Sequence, residues 1–92
     1  MVFVRKIKIG SKDVFVTCHR KIDHIKFNKI CDLVLQLDHN IFHLEKSSVI
    51  IVQGNEENFV IEIMNTDTYT LHVHYVIPKQ EVYKITENQT IS

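Results

Sequence analysis

The β-branched residues constrain the fold of this chain more than any other feature. Its 92 residues include 13 Ile and 11 Val but only 5 Leu and no Ala. β-Branched side chains lose rotamer freedom in helices and fit the pleated surface of a sheet, so most of the regular structure is expected to be strand. The length suits one domain, and 45% hydrophobic with 24% charged residues is a globular composition.

The first two predicted strands form a hairpin around Gly10. Residues 2–9 alternate in polarity before it, and residues 14–18 alternate after it. Glycine adopts a positive φ without steric cost, which suits the tight turn between them.

Three further strands are predicted in the second half of the chain. Residues 49–52 are a continuous apolar run, which is typical of a strand buried on both sides. Residues 59–64 and 69–76 alternate in polarity again. Pro78 ends the last strand because proline cannot donate a ladder hydrogen bond.

One amphipathic helix is predicted between the hairpin and the third strand. Asp23 suits its N-cap and Asn40 its end. Apolar residues recur there at spacings of three and four, which is the period of one helix face. These residues are Phe27, Ile30, Cys31, Val34 and Leu37.

The predicted order of elements is strand, strand, helix, strand, strand, strand, which indicates an α+β fold with a mixed sheet and the helix packed on one face. Over residues 1–77 this order resembles the ubiquitin-like β-grasp fold. The resemblance implies that the first strand lies beside the last one. The expected domain is 1–78, followed by a polar tail, 79–92, in which residues 82–85 could add a short edge strand.

Charge is divided unevenly although the net charge is zero. Residues 1–29 hold eight bases and two acids, whereas residues 30–92 hold three bases and nine acids. Two opposite surface patches would steer association and favour head-to-tail contacts between copies. The alternative is a solvated surface with local ion pairs, each of which contributes about 0–1 kcal/mol.

The charge division resembles that of PB1 interaction domains, which join a basic face on one copy to an acidic hairpin on another. Lys6 or Lys8 matches the first-strand lysine, and residues 55–58 with Asp67 match the acidic cluster. The chain departs from that pattern because Asn55 stands where an acid is expected and no second helix is predicted after Asp67. The resemblance implies a protein-binding function.

Twelve residues, in three groups, are candidate partner-binding residues. The basic group would attract an acidic partner, and the acidic group a basic one. The third group would form the sheet face away from the helix. The groups are Lys6, Lys8, Arg20 and Lys21; Glu56, Glu57, Glu62 and Asp67; and Val4, His72, His74 and Val76.

These patterns predict a non-enzymatic, intracellular protein-interaction module that acts as an adaptor or self-associates as a homodimer or head-to-tail oligomer. No catalytic signature or membrane-spanning run is visible, and no cofactor is expected.

Cys18 and Cys31 fit inert core positions. His72 and His74 share a strand face. Three alternatives are open for this pair: the side chains are simply exposed, they bind a metal together with a third ligand, or they make an interface pH-sensitive. The alternative function is nucleic-acid binding by the basic hairpin.

Overall fold

The computed structural model describes residues 2–19 and 22–79, and within those ranges the protein is α+β with a five-stranded mixed sheet. One α-helix and one short 3₁₀ helix accompany the sheet. The elements, in chain order, are β1 (Phe3–Ile9), β2 (Lys12–Cys18), α1 (His24–Val34), the 3₁₀ helix (His39–His43), β3 (Val49–Gln53), β4 (Glu57–Asn65) and β5 (Thr70–Pro78). The predicted strand at 82–85 lies outside the described residues.

The strands are arranged in the order β1-β2-β5-β4-β3, with β2 and β5 parallel and every other pair antiparallel. The expectation that the first strand lies beside the last one is therefore wrong, because β2 occupies that position. The central position of β2 and the edge position of β1 follow from the residues of the two strands. The side chains of Val14, Val16 and Cys18 are fully buried on β2, whereas β1 carries three charged residues that an edge strand accommodates more readily.

Helix α1 packs on one side of the sheet. Its N-cap is Asp23, as predicted, and the Asp23 side chain accepts a hydrogen bond of 2.8 Å from the Lys26 amide. The predicted helix end at Asn40 is wrong because α1 ends at Val34. Asp38 caps the 3₁₀ helix instead and accepts a hydrogen bond from the Asn40 amide at 2.8 Å.

The hydrophobic core lies between α1 and the sheet. Every strand contributes to it, and both helices place their buried residues in it. Phe27 of α1 stacks on Phe3 of β1 with ring centroids 5.2 Å apart. The largest fully buried side chains are Ile30, Ile61, Ile63 and Leu71. Cys18 and Cys31 are free and buried, which confirms their predicted core positions.

A β-bulge in β5 reverses the predicted orientation of Val76. Val60 pairs with position 75 and Ile61 pairs with Val73, so His74 is the extra residue between them. Side chains alternate along a strand, and one inserted residue shifts the alternation that follows. Val76 consequently packs against the core on the helix side, and its assignment to the opposite face is wrong.

In the part of the chain that the structure describes, β3 is an edge strand with only one covered side. Ile50 and Val52 face the core, whereas Val49 and Ile51 are each 58% exposed. The expectation of burial on both sides is wrong, because a continuous apolar run does not show whether a strand is central or lies at the edge of a sheet.

Candidate functional site: the open face and the β3 edge

The sheet side opposite α1, hereafter the open face, is the candidate site. Both helices of the described ranges place their buried residues on the other side. Strand registers place the following residues on the open face: Val4, Lys6 and Lys8 of β1, Phe15 and Thr17 of β2, His72 and His74 of β5, Val60 and Glu62 of β4, and Val49, Ile51 and Gln53 of β3.

A histidine cluster occupies the centre of the open face. His72 is only 9% exposed, and its Nδ1 lies 2.7 Å from the Thr17 hydroxyl. The His72 ring lies 4.6 Å from the ring of His19 and 5.0 Å from that of His74, measured between centroids. Burial lowers the pKa of His72, the nearby His19 and His74 lower it further, and Glu62 opposes the shift.

The bulge explains why two histidines meet one glutamate. Glu62 lies directly across from His72 in the ladder, and the extra residue His74 brings its Nε2 to 2.6 Å from Glu62 Oε1. Both side chains of this contact are half-buried, so water screens it less than it screens an exposed one. The predicted exposure of the two histidines is wrong, since His72 is buried and His74 is half-buried.

The basic residues of the N-terminal segment are divided between two faces. Lys6 and Lys8 lie on the open face, and Lys8 pairs with Asp13 across 3.9 Å with both side chains exposed. Arg5 lies on the helix side and donates to the Asn28 side chain at 3.2 Å. Arg20 and Lys21 lie outside the described residues.

The four predicted acidic residues do not form one patch. Glu56 lies in the turn before β4, Glu57 begins β4, Glu62 lies within the open face, and Asp67 follows the end of β4. The length of β4 separates the two ends by about 27 Å. Glu57 also bonds the Lys26 ammonium group at 3.0 Å. The basic and acidic segments of the sequence thus intermingle at this point.

Among residues 2–19 and 22–79, no backbone group pairs with the outer edge of β3. The Ser48 carbonyl accepts from the Ile63 amide, and the Gly54 amide donates to the Glu57 carbonyl, each at 2.8 Å. The register between these pairs is unbroken. Hydrogen-bonded pairs alternate in an antiparallel ladder, so the even-numbered residues bond β4. The backbone N–H and C=O groups of Val49, Ile51 and Gln53 therefore point outward.

Sequence reasoning missed the β3 edge and the third histidine. The uncharged run at 49–53 was visible, but strand order decides whether such a run is central. His19 could have been found, because the alternation through Phe15 and Thr17 places it on the face of His72.

The described ranges contain neither an activated thiol nor a metal site. Burial raises the pKa of the Cys31 thiol, which disfavours the nucleophilic thiolate. Within residues 2–19 and 22–79, no group of three or more His, Cys, Asp or Glu residues is placed to hold a metal ion. In the same ranges, no helix has the length and apolar character needed to cross a membrane.

No protein-family model, curated protein or solved structure matches this chain.

Proposed function

We propose that the protein is a non-enzymatic protein-interaction module that binds an extended segment of another polypeptide along β3. One observation carries this proposal: within the described residues, β3 is an uncharged edge strand with two exposed apolar residues, Val49 and Ile51. An extended segment would pair with the outward backbone groups, while pockets for alternate side chains would provide specificity. The open face beside β3 would form the rest of the contact.

The opposite edge of the sheet supports this choice of strand. Edge strands of monomeric proteins commonly carry charges that prevent pairing with other chains. Strand β1 has Arg5, Lys6 and Lys8, whereas β3 has no charged residue. The two edge strands differ in charge, which controls whether another strand can be added, and the uncharged β3 allows this addition.

The open face extends the contact inward from β3. Val60 lies across the ladder from Ile51, and Glu62 lies across from Val49. Val49, Ile51 and Val60 form an apolar strip beside the histidine cluster, in which Glu62 bonds His74; Val49 and Ile51 are exposed, whereas Val60 is only 6% exposed. Apolar centres with polar surroundings are common in protein interfaces. Val4, on the far edge, is 62% exposed and stands apart from this strip.

The element order supports a ubiquitin-like β-grasp relationship, while the position of β2 beside β5 counts against it. The PB1-like charge arrangement has weaker support, because Glu57 bonds Lys26 within the same chain. Nucleic-acid binding gains no support from the geometry, since Lys8 is paired with Asp13 and Arg5 faces the helix side. The proposed surface is therefore β3.

Selection from a display library of extended peptides tests the proposed function. We expect the full chain to select peptides with alternating apolar residues, and Ile51→Lys to lose their binding. Val4→Lys is the matched control, because Val4 has similar exposure on the opposite edge strand. Binding that survives Ile51→Lys, or no binding peptide together with no self-association, would contradict the proposal.

A further inference from the structure

We infer that the polypeptide added along β3 is the β3 strand of a second copy of this chain, in a symmetric antiparallel dimer. This inference rests on the proposed function and names its partner. It follows from the symmetry of the outward backbone groups and from the side chains beside them.

The outward backbone groups of β3 complement themselves. Val49, Ile51 and Gln53 carry them, and Ile51 is the middle residue. A two-fold axis at Ile51 places it opposite Ile51 of the second copy, and places Val49 opposite Gln53 of that copy. Each of these facing pairs exchanges two N–H···O=C bonds, which gives about six new backbone hydrogen bonds. The two sheets would then form one continuous sheet.

The side chains allow this pairing and make it specific. Opposing residues on one face of an antiparallel pair contact each other, and apolar pairs there are favourable. Ile51 would bury its exposed surface against its own copy, and no like charges would meet, because the strand reads Val-Ile-Ile-Val-Gln. The core residues Ile50 and Val52 would lie opposite each other on the helix side.

The alternative head-to-tail assembly lacks this complementarity. It needs separate basic and acidic surfaces, and the structure places Glu57 against Lys26 and Asp67 at the other end of β4. Isologous association through one strand closes after two copies and leaves β1 as the outer edge at both ends. The charged residues of β1 would then protect the dimer from further growth.

The first experiment measures the mass of the full chain by light scattering over a concentration series. We expect twice the chain mass of 10.8 kDa at high concentration, in both low and high salt. Ile51→Lys should give the monomer mass, because two ammonium groups would face each other at the axis. Val4→Lys should remain dimeric. Dissociation by salt alone, a monomer at every concentration, or a dimer that persists in Ile51→Lys would overturn the inference.

The second experiment tests the register with introduced cysteines. Facing Cα atoms in a hydrogen-bonded antiparallel pair are about 5.5 Å apart, which suits a disulfide. On mild oxidation, Ile51→Cys should cross-link to itself, whereas Val4→Cys should not. Val49→Cys mixed with Gln53→Cys should form a heterodimer, while neither does so alone. Cys18 and Cys31 are buried and should remain reduced. Equal cross-linking of all variants would overturn the proposed register.

The two experiments separate this inference from the proposed function. A monomeric chain that still selects peptides sensitive to Ile51→Lys would overturn the dimer and retain the interaction module. Circular dichroism of the lysine variants checks that both are folded, as their exposed positions lead us to expect.

Discussion

Lys26 Nζ of α1 lies 3.0 Å from Glu57 Oε1 at the start of β4. The contact joins a residue of the basic N-terminal segment to one of the acidic remainder, across 31 positions of the sequence. It anchors the helix to the β3–β4 turn and neutralises part of the charge division that the sequence displays. Some of the opposite charges of the chain therefore pair within it and stabilise its fold.

Removal of the Lys26 ammonium group should destabilise the fold. In Lys26→Met the half-buried Glu57 carboxylate loses its cation, and we expect a loss of about 1 kcal/mol in urea unfolding. Lys29→Met is the matched control, because Lys29 is exposed on the same helix and should have almost no effect. The double variant Lys26→Met/Glu57→Met should recover part of the loss. Equal effects of both lysine variants would contradict a specific ion pair.

The lowered pKa of His72 should make stability depend on pH. An unfolded histidine titrates near pH 6.5, and the folded pKa is lower because the ring is buried. Between those two values the unfolded chain binds more protons than the folded one, so stability falls as the pH falls below about 6.5. Urea unfolding at about pH 7.5 and at about pH 5.5 should show this decrease.

The variant His72→Gln isolates this contribution, since glutamine does not titrate and can still hydrogen-bond Thr17. It should flatten the pH dependence relative to the unmodified chain. His24→Gln, at an exposed position on α1, is the matched histidine substitution for comparison. An unchanged pH profile in His72→Gln would show that other groups cause it.

Gly10 should not tolerate a side chain. Its φ is +66°, and a Cβ placed there would lie 2.1 Å from Cε1 of His39 in the 3₁₀ helix. We expect Gly10→Ala to destabilise the protein by about 1–2 kcal/mol, from backbone strain and from displacement of the imidazole. Adding His39→Ala should recover only the contact contribution. A Gly10→Ala variant as stable as the unmodified chain would contradict both causes.

Two isoleucines on α1 should differ sharply when they are truncated. The side chain of Ile30 is fully buried, whereas Ile25 is 60% exposed. Ile30→Ala should cost about 2–5 kcal/mol through lost burial and cavity formation. Ile25→Ala should change stability by less than about 0.5 kcal/mol. Thermal and urea unfolding of the pair would check the position of the helix, because a rotated helix would reverse the order of the two effects.

Much of the local structure was predictable from short segments. Alternation located four of the five strands and a continuous apolar run located β3, the positive φ of Gly10 followed from its place in the turn, and Asp23 identified the start of α1. The end of α1 was less predictable. Leu37 continues the apolar period and packs against the core, although the helix has already ended at Val34. An apolar side chain such as Leu37 can pack against the core from a loop as well as from a helix.

The candidate site was only partly predictable. Val4, His72 and His74 were correctly assigned to one face of the sheet, whereas Val76 was not. The bulge at His74 shifts the alternation, and no residue type in that stretch marks an insertion. The acidic group was dispersed for a different reason: residues close in sequence can be separated by the length of a strand.

The sequence by itself determined the order of the five strands and the α-helix, the apolar side of β1, β2 and β4, and the start of the helix, because these depend on residue spacing and on hydrogen bonds between near neighbours. Only the tertiary structure decided which strand is central, which edge is uncovered and which charges meet. Those outcomes depend on contacts between distant segments. The exposed side of β3 arises from such contacts, since Val49 and Ile51 belong to the same apolar run as the buried Val52.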